Sequence, residues 1–394
     1  MKMLQIIVPL LLCFLSCEQA TFVSPAAYAC ESPAREAHPQ AEVFRSLLTE
    51  VLPFTTGVQV AVTDRNGARW SGAKGFADLA NDVPLEPCHR LMIASISKTV
   101  TAALILQLHE EGMLDLDDLL SAWLPDELIG ELANAREVTL RQLLHHTSGI
   151  PDYLTTEQYL RSLNEPFLRE SQRAKLRYAY GLPAEGTPGA EFNYSNTNFV
   201  LLGLVVEEAR NRPLWEVVAA RMAGPLGLQH FAMGTETDPI PDDVARPYLA
   251  FTGGKYVDIT PIAVADAATG DGGIISNMED LNRWVEALFA GDLIAPAILA
   301  TMLTDPVAVP VDQADFDEWP NEAYGLGIAR YQTPWGMAYG HTGSTSSYNS
   351  VLLYFPDSGV TLSIIANGAD LELLDELVDA AADLRDDFLT LLHQ

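Results

Sequence analysis

The chain has 394 residues, more than one compact core usually holds, so we expect two lobes or two domains. Its composition, 48% hydrophobic and 19% charged, excludes a disordered or collagen-like protein. A formal net charge of −30 disfavours nucleic acid and anionic membrane surfaces as partners, since both attract clustered Lys and Arg, and indicates a protein kept soluble by its charge.

The first 29 residues are predicted to be a signal peptide. Lys2 provides the positive charge, and residues 4–15 are almost all apolar but too few to span a membrane. Cleavage after Ala29 fits a small-residue site, and an imperfect lipoprotein signal at Cys17 is the alternative. We therefore expect an exported protein, periplasmic or extracellular, that is held at a membrane only if Cys17 is lipidated. Residues 30–40 are predicted to be a tether.

Two cysteines, Cys30 and Cys88, remain in the chain whichever signal is used. In an oxidising compartment they can form a disulfide. Two free or partly buried thiols are the alternative, and the sequence does not distinguish the two states.

A helix, a strand pair and a second helix are predicted near the start of the folded part. The first helix is amphipathic, with an apolar face formed by Val43, Phe44, Leu47, Leu48 and Val51. Residues 57–63 and 68–76 have the pattern of strands joined at Asn66-Gly67, a strong hairpin turn. Residues 96–111 have the pattern of a helix that ends at Gly112.

The centre of the chain is predicted to be mainly helical. Thr139 and the glutamine three residues later have capping-box spacing ahead of an apolar run. Residues 198–210 predict a strongly apolar helix. Ser276 and Glu279 have the same capping-box spacing, at the start of a helix that ends near Gly291.

Strands return at the C-terminal end of the sequence. Residues 349–355 and 360–366 flank a Pro-Asp-Ser-Gly turn and predict a hairpin, and a last amphipathic helix covers about 370–392. Because strands lie at both ends and helices between them, we expect a mixed α/β fold. Its antiparallel sheet, flanked by helices, is built from about 41–95 and 320–394, with a mainly helical lobe inserted.

Two serine–lysine pairs have the spacing that lets an amine activate a hydroxyl. Serine is a poor nucleophile until a base takes its proton, and residues i and i+3 share one face of a helix. Ser95 and Lys98 open a predicted helix, whose first N–H groups also favour a developing oxyanion. Ser71 and Lys74 lie on a predicted strand, where i and i+3 point to opposite faces. We therefore predict Ser95 as the nucleophile and Lys98 as a group that activates it.

Two later segments carry polar groups suited to the same chemistry. Tyr194-Ser195-Asn196 precedes an apolar helix: a phenol can relay a proton if a nearby cation lowers its pKa, and an amide can orient a lysine or a substrate carbonyl. His341-Thr342-Gly343 precedes the C-terminal strand pair, where a strand edge can hold a substrate backbone and the Ser344 N–H can donate to an oxyanion. Each segment alone is common, so only their combination is informative.

Together the three segments resemble the serine β-lactamase and penicillin-binding-protein family, in particular the branch with class C β-lactamases, D-alanyl-D-alanine carboxypeptidases and related esterases. The order and wide spacing of Ser-x-x-Lys, Tyr-x-Asn and His-Thr-Gly match it, as do residues 143–151, 270–281 and 324–327. The resemblance covers about residues 40–370 and indicates one hydrolase domain over 41–394. It implies a mixed sheet flanked by helices, with the active site between the sheet and the helical lobe.

The resemblance also implies the roles of the catalytic residues. Ser95 is the residue that becomes acylated, and its backbone N–H forms the oxyanion hole with that of Ser344. Lys98 and Tyr194 share the general base and acid work, and which of them takes the first proton stays open. Asn196 orients the groups around them.

His341 and Gly343 are expected to line the substrate-binding strand edge, and the histidine is a departure from the family pattern. A lysine at this position gives a permanent cation for a substrate carboxylate, whereas histidine is only partly charged at neutral pH. This argues against efficient β-lactam hydrolysis. We expect His341 to anchor a carboxylate when it is protonated; the alternative is a neutral, hydrogen-bonding wall of the site.

The expected function is that of an exported serine hydrolase with an acyl-enzyme on Ser95, acting on a peptide or small-molecule acyl substrate in the manner of a D-alanyl-D-alanine carboxypeptidase. A carboxylesterase or weak β-lactamase is the alternative within the family. A penicillin-binding sensor that is acylated without turnover is the alternative of another class. The pocket walls are expected near Tyr153, 248–256 and 312–319.

No cofactor or metal is expected. Gly-x-Ser-x-Gly is absent from the sequence, which argues against an α/β-hydrolase. His145 and His146 have no second ligand pair at zinc spacing. Residues 270–273 contain three glycines but do not form a dinucleotide-binding pattern.

Overall fold

The structure is a computed structural model that describes residues 38–165, 168–235, 241–251, 253–260, 268–315, 319 and 322–394. The predicted signal peptide, Cys17 and Cys30 lie outside these residues. Cys88, the one cysteine among them, is disulfide-bonded, so its partner lies outside them too. The free-thiol alternative is therefore wrong for Cys88, and its pairing with Cys30 stays a prediction.

A nine-stranded antiparallel sheet is the centre of the described structure. The strands of the described part are, in chain order, β1 (Gly57–Thr63), β2 (Arg69–Asp78), β3 (Val83–Pro84), β4 (Leu91–Met92), β5 (Ala232–Met233), β6 (Tyr248–Ala250), β7 (Tyr256–Asp258), β8 (Ile274–Ser276), β9 (Val307–Ala308), β10 (Ala323–Tyr324), β11 (Ala329–Thr333), β12 (Gly336–Ser344), β13 (Asn349–Phe355), β14 (Val360–Ala366) and β15 (Gly368–Asp370). The large sheet has the order β3-β2-β1-β14-β13-β12-β11-β10-β9. Two three-stranded sheets, β15-β6-β7 and β4-β8-β5, adjoin it.

The helices lie at both ends of the described chain and fill the segment between β4 and β9. They are α1 (Ala41–Val51), α2 (Ser97–Glu110), α3 (Asp126–Ile129), α4 (Leu140–Leu144), α5 (Thr156–Asn164), α6 (Gln172–Lys175), α7 (Asn196–Arg210), α8 (Leu214–Val218), α9 (Gly224–Leu226), α10 (Met278–Ala290), α11 (Pro296–Leu303) and α12 (Leu374–Leu392). None in the described part is long and apolar enough to cross a lipid bilayer.

The two ends of the chain meet in the large sheet. β1 pairs with β14, with Val58 opposite Ala366, and β2 and β13 flank this pair on either side. Both hairpins occur where the sequence predicts them. The mixed α/β fold, with an antiparallel sheet flanked by helices and a mainly helical insertion, is confirmed.

Both faces of the large sheet are covered by apolar side chains. Successive residues of a strand point to opposite faces, so Leu352 and Leu353 of β13 belong to different cores. The core on the Leu352 side contains Phe199 of α7, together with much of α2 and α10. The core on the Leu353 side is closed by α1 and α12, whose Phe44 and Phe388 rings stack at 4.9 Å.

Two details of the predicted helices are wrong. Val43 is 46% exposed, because the buried positions of α1 are Ala41, Phe44, Leu47, Leu48 and Val51, which form one stripe that leaves Val43 outside it. The N-cap of α10 is Asn277, whose side chain accepts from the Asp280 N–H, because Ser276 is still part of β8. The Thr139 capping box is confirmed.

Candidate active site

The predicted nucleophile lies on a strained turn. Residues 94–96 form a 3-10 turn that leads directly into α2. Ala94 has φ of 49°, a left-handed conformation that costs a non-glycine residue free energy and that persists only where the surroundings impose it. The turn leaves Ser95 half-buried at the start of α2, where its hydroxyl faces polar groups from other elements.

Lys98 is fully buried one helical turn after Ser95. Its Nζ donates to Ser95 Oγ at 3.0 Å, to Asn196 Oδ1 at 2.7 Å and to the carbonyl oxygen of Asp271 at 2.9 Å. Burial lowers the pKa of Lys98 to about 8, although the negative charges of Asp271 and Asp152 oppose the shift. A lysine with this pKa has a substantial neutral fraction near neutral pH, as a general base needs.

Tyr194 and Asn196 reach the same point from the start of α7. The Tyr194 hydroxyl hydrogen-bonds with Ser95, and its ring lies 5.0 Å from Lys98 Nζ. Burial raises the pKa of Tyr194 well above 10, and the Ser95 hydrogen bond only partly opposes this. The sequence made a relay through this phenol conditional on a cation that lowers its pKa, and in the structure desolvation moves the pKa the other way.

Two aspartates behind these residues were not found by sequence reasoning. Asp152 Oδ2 accepts from Asn196 Nδ2 at 2.8 Å, which fixes the amide so that its oxygen faces Lys98. Asp271 places its backbone carbonyl on Lys98, and its carboxylate accepts from Tyr153 at 2.9 Å. Asp271 lies in the 270–281 segment that matches the family resemblance, and Asp152 directly follows the 143–151 segment. No spacing in the sequence, however, relates an aspartate to an asparagine 44 residues away.

His146 supports the Tyr194 loop. Its ring stacks on Tyr194 with centroids 4.3 Å apart, and Nδ1 accepts from the Ser195 N–H at 3.2 Å. Within the described residues, no group of three or more His, Cys, Asp and Glu side chains is placed to hold a metal ion. Of the two neighbouring histidines, His146 therefore has a packing role in the structure.

β12 passes close to the nucleophile turn. A Cβ added to Gly343 would lie 2.3 Å from the Ile93 carbonyl oxygen and 3.2 Å from Ala94 Cβ, so only glycine allows this approach. Ser344 is exposed at the end of β12, and its hydroxyl donates to Asn349 at 2.9 Å. The structure therefore brings Gly343 to the Ser95 turn, and the use of the Ser344 N–H in an oxyanion hole stays a prediction.

His341 is buried on β12, and both its ring nitrogens are occupied. Nδ1 lies 2.5 Å from the Thr342 carbonyl, an acceptor, so it carries the proton, and Nε2 then accepts from the Tyr324 hydroxyl at 2.8 Å. Burial, with help from Lys98, lowers the pKa of His341 to about 4, although Asp315 opposes the shift. The expectation of a partly charged carboxylate anchor is therefore wrong, and the neutral wall describes this side chain.

The second serine–lysine pair is separate from the site. Ser71 donates to Glu279 at 3.3 Å, while Lys74 donates to Thr49 at 2.6 Å. The two residues lie on β2, where their side chains point to opposite faces, so the amine cannot activate the hydroxyl.

The expected pocket walls are partly confirmed. Gln313 Oε1 accepts from the Tyr194 N–H at 3.3 Å, and Asp315 accepts from Thr342 at 2.7 Å, so part of the 312–319 segment borders the site. Tyr153 is buried beneath it. Residues 248–250 and 256–258 instead pair with each other in the small β15-β6-β7 sheet.

A serine in contact with a buried lysine, with a phenol and an asparagine amide beside it, is an arrangement of groups suited to nucleophilic catalysis by serine. The profile of the family described as Beta-lactamase matches residues 48–385, which is most of the sequence. The chain belongs to the Beta-lactamase family.

Curated relatives are found in several bacteria. The chain is 26% identical over 320 residues to penicillin-binding protein 4* of Bacillus subtilis (strain 168), an alignment that covers 74% of this chain and 64% of that protein. It is 27% identical over 238 residues to the D-alanyl-D-alanine-carboxypeptidase/endopeptidase AmpH of Escherichia coli (strain K12), covering 60% of this chain and 58% of the relative. The chain thus matches less than two thirds of the length of either relative.

Solved structures with the same fold include an amidohydrolase and an amidase. A D-stereospecific amidohydrolase from Streptomyces sp. superposes with a TM-score of 0.73 at 28% identity, covering 86% of this chain and 98% of that one. A D-amino acid amidase from Ochrobactrum anthropi SV3 superposes with a TM-score of 0.73 at 22% identity, covering 88% and 98%. At that identity the second likeness shows the fold alone.

Proposed function

We propose that this protein is a serine hydrolase that cleaves an amide bond of a D-amino acid peptide or amide through an acyl-enzyme on Ser95. The observation that carries the proposal is the contact between Lys98 Nζ and Ser95 Oγ at 3.0 Å, made by a buried amine whose pKa is lowered to about 8. The names of AmpH and of the D-stereospecific Streptomyces amidohydrolase support a substrate of this class.

The charges in the site favour Lys98 as the first base. A neutral Lys98 amine takes the Ser95 proton while Oγ attacks the carbonyl carbon, and the proton passes through the Tyr194 phenol to the leaving nitrogen as the C–N bond breaks. Tyr194 stays neutral between transfers, because its pKa is raised well above 10. Water then attacks the ester on Ser95 and regenerates the free hydroxyl.

The site favours an amidase or peptidase that does not bind a substrate carboxylate over a D-alanyl-D-alanine carboxypeptidase. A carboxypeptidase binds the free carboxylate of its leaving group, and His341 is neutral with both nitrogens occupied. The same observation weighs against a β-lactamase, whose substrates also carry a carboxylate. Esters are intrinsically more reactive than amides and are useful as probes of the same mechanism.

The test of the nucleophile compares two serines. Ser95→Ala is expected to abolish turnover of a D-amino acid p-nitroanilide, while Ser71→Ala retains it, because Ser71 contacts Glu279 and not its lysine neighbour. Mass spectrometry of the trapped acyl adduct locates the modified serine. An adduct on Ser71 with none on Ser95 rejects the proposal, and a single burst without further turnover supports the penicillin-binding sensor instead.

We also propose that the protein is exported, on the basis of the apolar segment 4–15 and the cleavage site at Ala29. A disulfide at Cys88 agrees with an oxidising compartment. Expression of the full chain in a bacterium, followed by fractionation and N-terminal sequencing, tests this. Recovery of the uncleaved chain from the cytosol would contradict it, and a lipid-modified Cys17 would select the lipoprotein route.

A further inference from the structure

The hydroxyl of Thr342 already donates a hydrogen bond to another side chain of the protein. Thr342 is the central residue of the His341-Thr342-Gly343 segment on β12, two residues before Ser344. Its Oγ1 donates to Asp315 Oδ1 at 2.7 Å. A threonine hydroxyl has one proton to donate, so this bond must break before Thr342 can donate to a substrate carboxylate.

Asp315 is held in this position by three hydrogen bonds. Besides Thr342, the buried Tyr331 hydroxyl donates to Asp315 Oδ2 at 2.5 Å, and the Asp315 N–H donates to Glu322 at 2.7 Å. Burial and the charge of Asp315 raise the pKa of Glu322 to about 8, so Glu322 is mostly neutral at pH 7. Asp315 itself is exposed, and its carboxylate has lone pairs left to accept a further hydrogen bond.

The charge of Asp315 faces the catalytic groups. It raises the pKa of Tyr194, in the same direction as burial. It also raises the pKa of His341, where burial has the opposite and larger effect. His341 does not offset it, because the histidine is neutral. Thr342 lies two residues before Ser344, and two strand residues span about 7 Å. A substrate with its scissile carbonyl between Ser95 and the end of β12 would therefore place a leaving-group substituent near Thr342.

We propose that Asp315 selects the substrate by charge: the leaving group carries a protonated amine, or no charge, where a D-alanyl-D-alanine substrate carries its carboxylate. This inference rests on the proposed acyl-enzyme hydrolase and names its substrate class. A carboxylate at this place is repelled by Asp315 and finds no free donor on Thr342. A protonated amine there donates to Asp315 and disturbs neither the Thr342 nor the Tyr331 hydrogen bond.

The test uses three substrates that differ only in one group. Each carries the same acyl-D-alanyl part, followed by D-alanine, by D-alaninamide, or by the matching diamine in which CH₂NH₃⁺ replaces the carboxylate. We expect kcat/KM in wild type to rise from the carboxylate to the amide to the amine. The amine-to-carboxylate ratio is expected to be at least about tenfold, since attraction and like-charge repulsion both contribute to it.

Asp315→Asn is the decisive variant, because it removes the charge and keeps an acceptor for Thr342. It is expected to lower the amine-to-carboxylate ratio by about tenfold, and any general loss of activity cancels in this ratio. Asp357→Asn removes the same charge from an exposed turn at the other end of β13 and is expected to leave the ratio unchanged. If Asp315→Asn does not fold, the wild-type ratio must still shrink between 0.01 and 1 M salt, because salt screens exposed charges.

The two proposals fail in different ways. Turnover of all three substrates with the carboxylate preferred, or a ratio unchanged by Asp315→Asn and by salt, would overturn the role of Asp315 and leave the hydrolase intact. No turnover of any of the three, with no acyl adduct on Ser95, would overturn the hydrolase and this inference with it.

Discussion

At the scale of single residues, the pKa of Lys98 controls when the site can act. The base form of this lysine is the neutral amine, and burial lowers its pKa from about 10.5 to about 8. For an uncharged substrate, kcat/KM should therefore rise with pH below about 8 and level off above it, by about 50-fold between pH 6 and pH 8 if this titration alone governs the rate. A stopped-flow or plate assay with a neutral anilide gives the profile. A rate that does not change over this range would exclude Lys98 as the first base.

Variants of Asp152 provide a second test of the pH profile of kcat/KM. Its negative charge raises the pKa of Lys98, and its carboxylate holds the Asn196 amide. In Asp152→Asn the charge is lost and an acceptor remains, so the midpoint of the profile should move to lower pH with a modest loss of kcat. Asp152→Ala should move the midpoint by a similar amount but lower kcat further, because the Asn196 amide loses its hydrogen-bond acceptor. A residue with a purely structural role would lower the rate without moving the midpoint.

The site residues that the sequence identified are related by local geometry, whereas those that it missed are brought to the site by tertiary packing. Ser95 and Lys98 share a helix face, so local geometry alone relates them. Asp152 and Asp315 act across the fold, on groups whose distance from them is set by packing rather than by spacing. The charge of His341 was mispredicted for the same reason: the sequence gives its side chain but not its burial or its hydrogen-bond partner Tyr324.

At the scale of elements, the close contact between β12 and the 94–96 turn aligns the two halves of the site. In Gly343→Ala the new Cβ would lie 2.3 Å from the Ile93 carbonyl oxygen, so strand and turn must separate. We expect kcat/KM to fall by at least about 10²-fold, because small misplacements of catalytic groups cost this much. Gly186→Ala is the control: its Cβ meets nothing nearer than 3.9 Å. Equal activity of the two variants would show that the contact is not needed.

The elements themselves were largely predictable, and the exceptions lie at their ends. The β1–β2 and β13–β14 hairpins have strong turn residues, and three of their four strands, β1, β13 and β14, are rich in apolar and β-branched residues. The cap of α10 was misplaced by one residue because serine and asparagine stand side by side there, and both are good caps. Pairing of Ser276 with Leu91 of β4, which the sequence does not display, keeps Ser276 in β8.

At the scale of the whole molecule, α1 and α12 close one face of the large sheet. Phe388 is fully buried and lies against both Phe44 and Trp70. Phe388→Ala is expected to lower the free energy of unfolding by about 3–5 kcal/mol. Val378→Ala, on the exposed side of the same helix, should change it by less than about 0.5 kcal/mol. Denaturant unfolding of the two variants measures both; similar losses would mean that α12 packs differently.

The pairing of β1 with β14 also has a consequence for how the chain folds. Thr55, just before β1, bonds to Gly368, which lies 313 positions later, and β12 is separated from the Ser95 turn almost as widely. Contacts of such high sequence separation form late and slowly, because a long loop must close before they are gained. A chain emerging from a ribosome or a translocation pore therefore carries Ser95 and Lys98 long before it carries the strand that faces them. Hydrolytic activity should appear only after the C-terminal residues are released, and a nascent or truncated chain would expose the unpaired edge of β1 to chaperones and proteases instead.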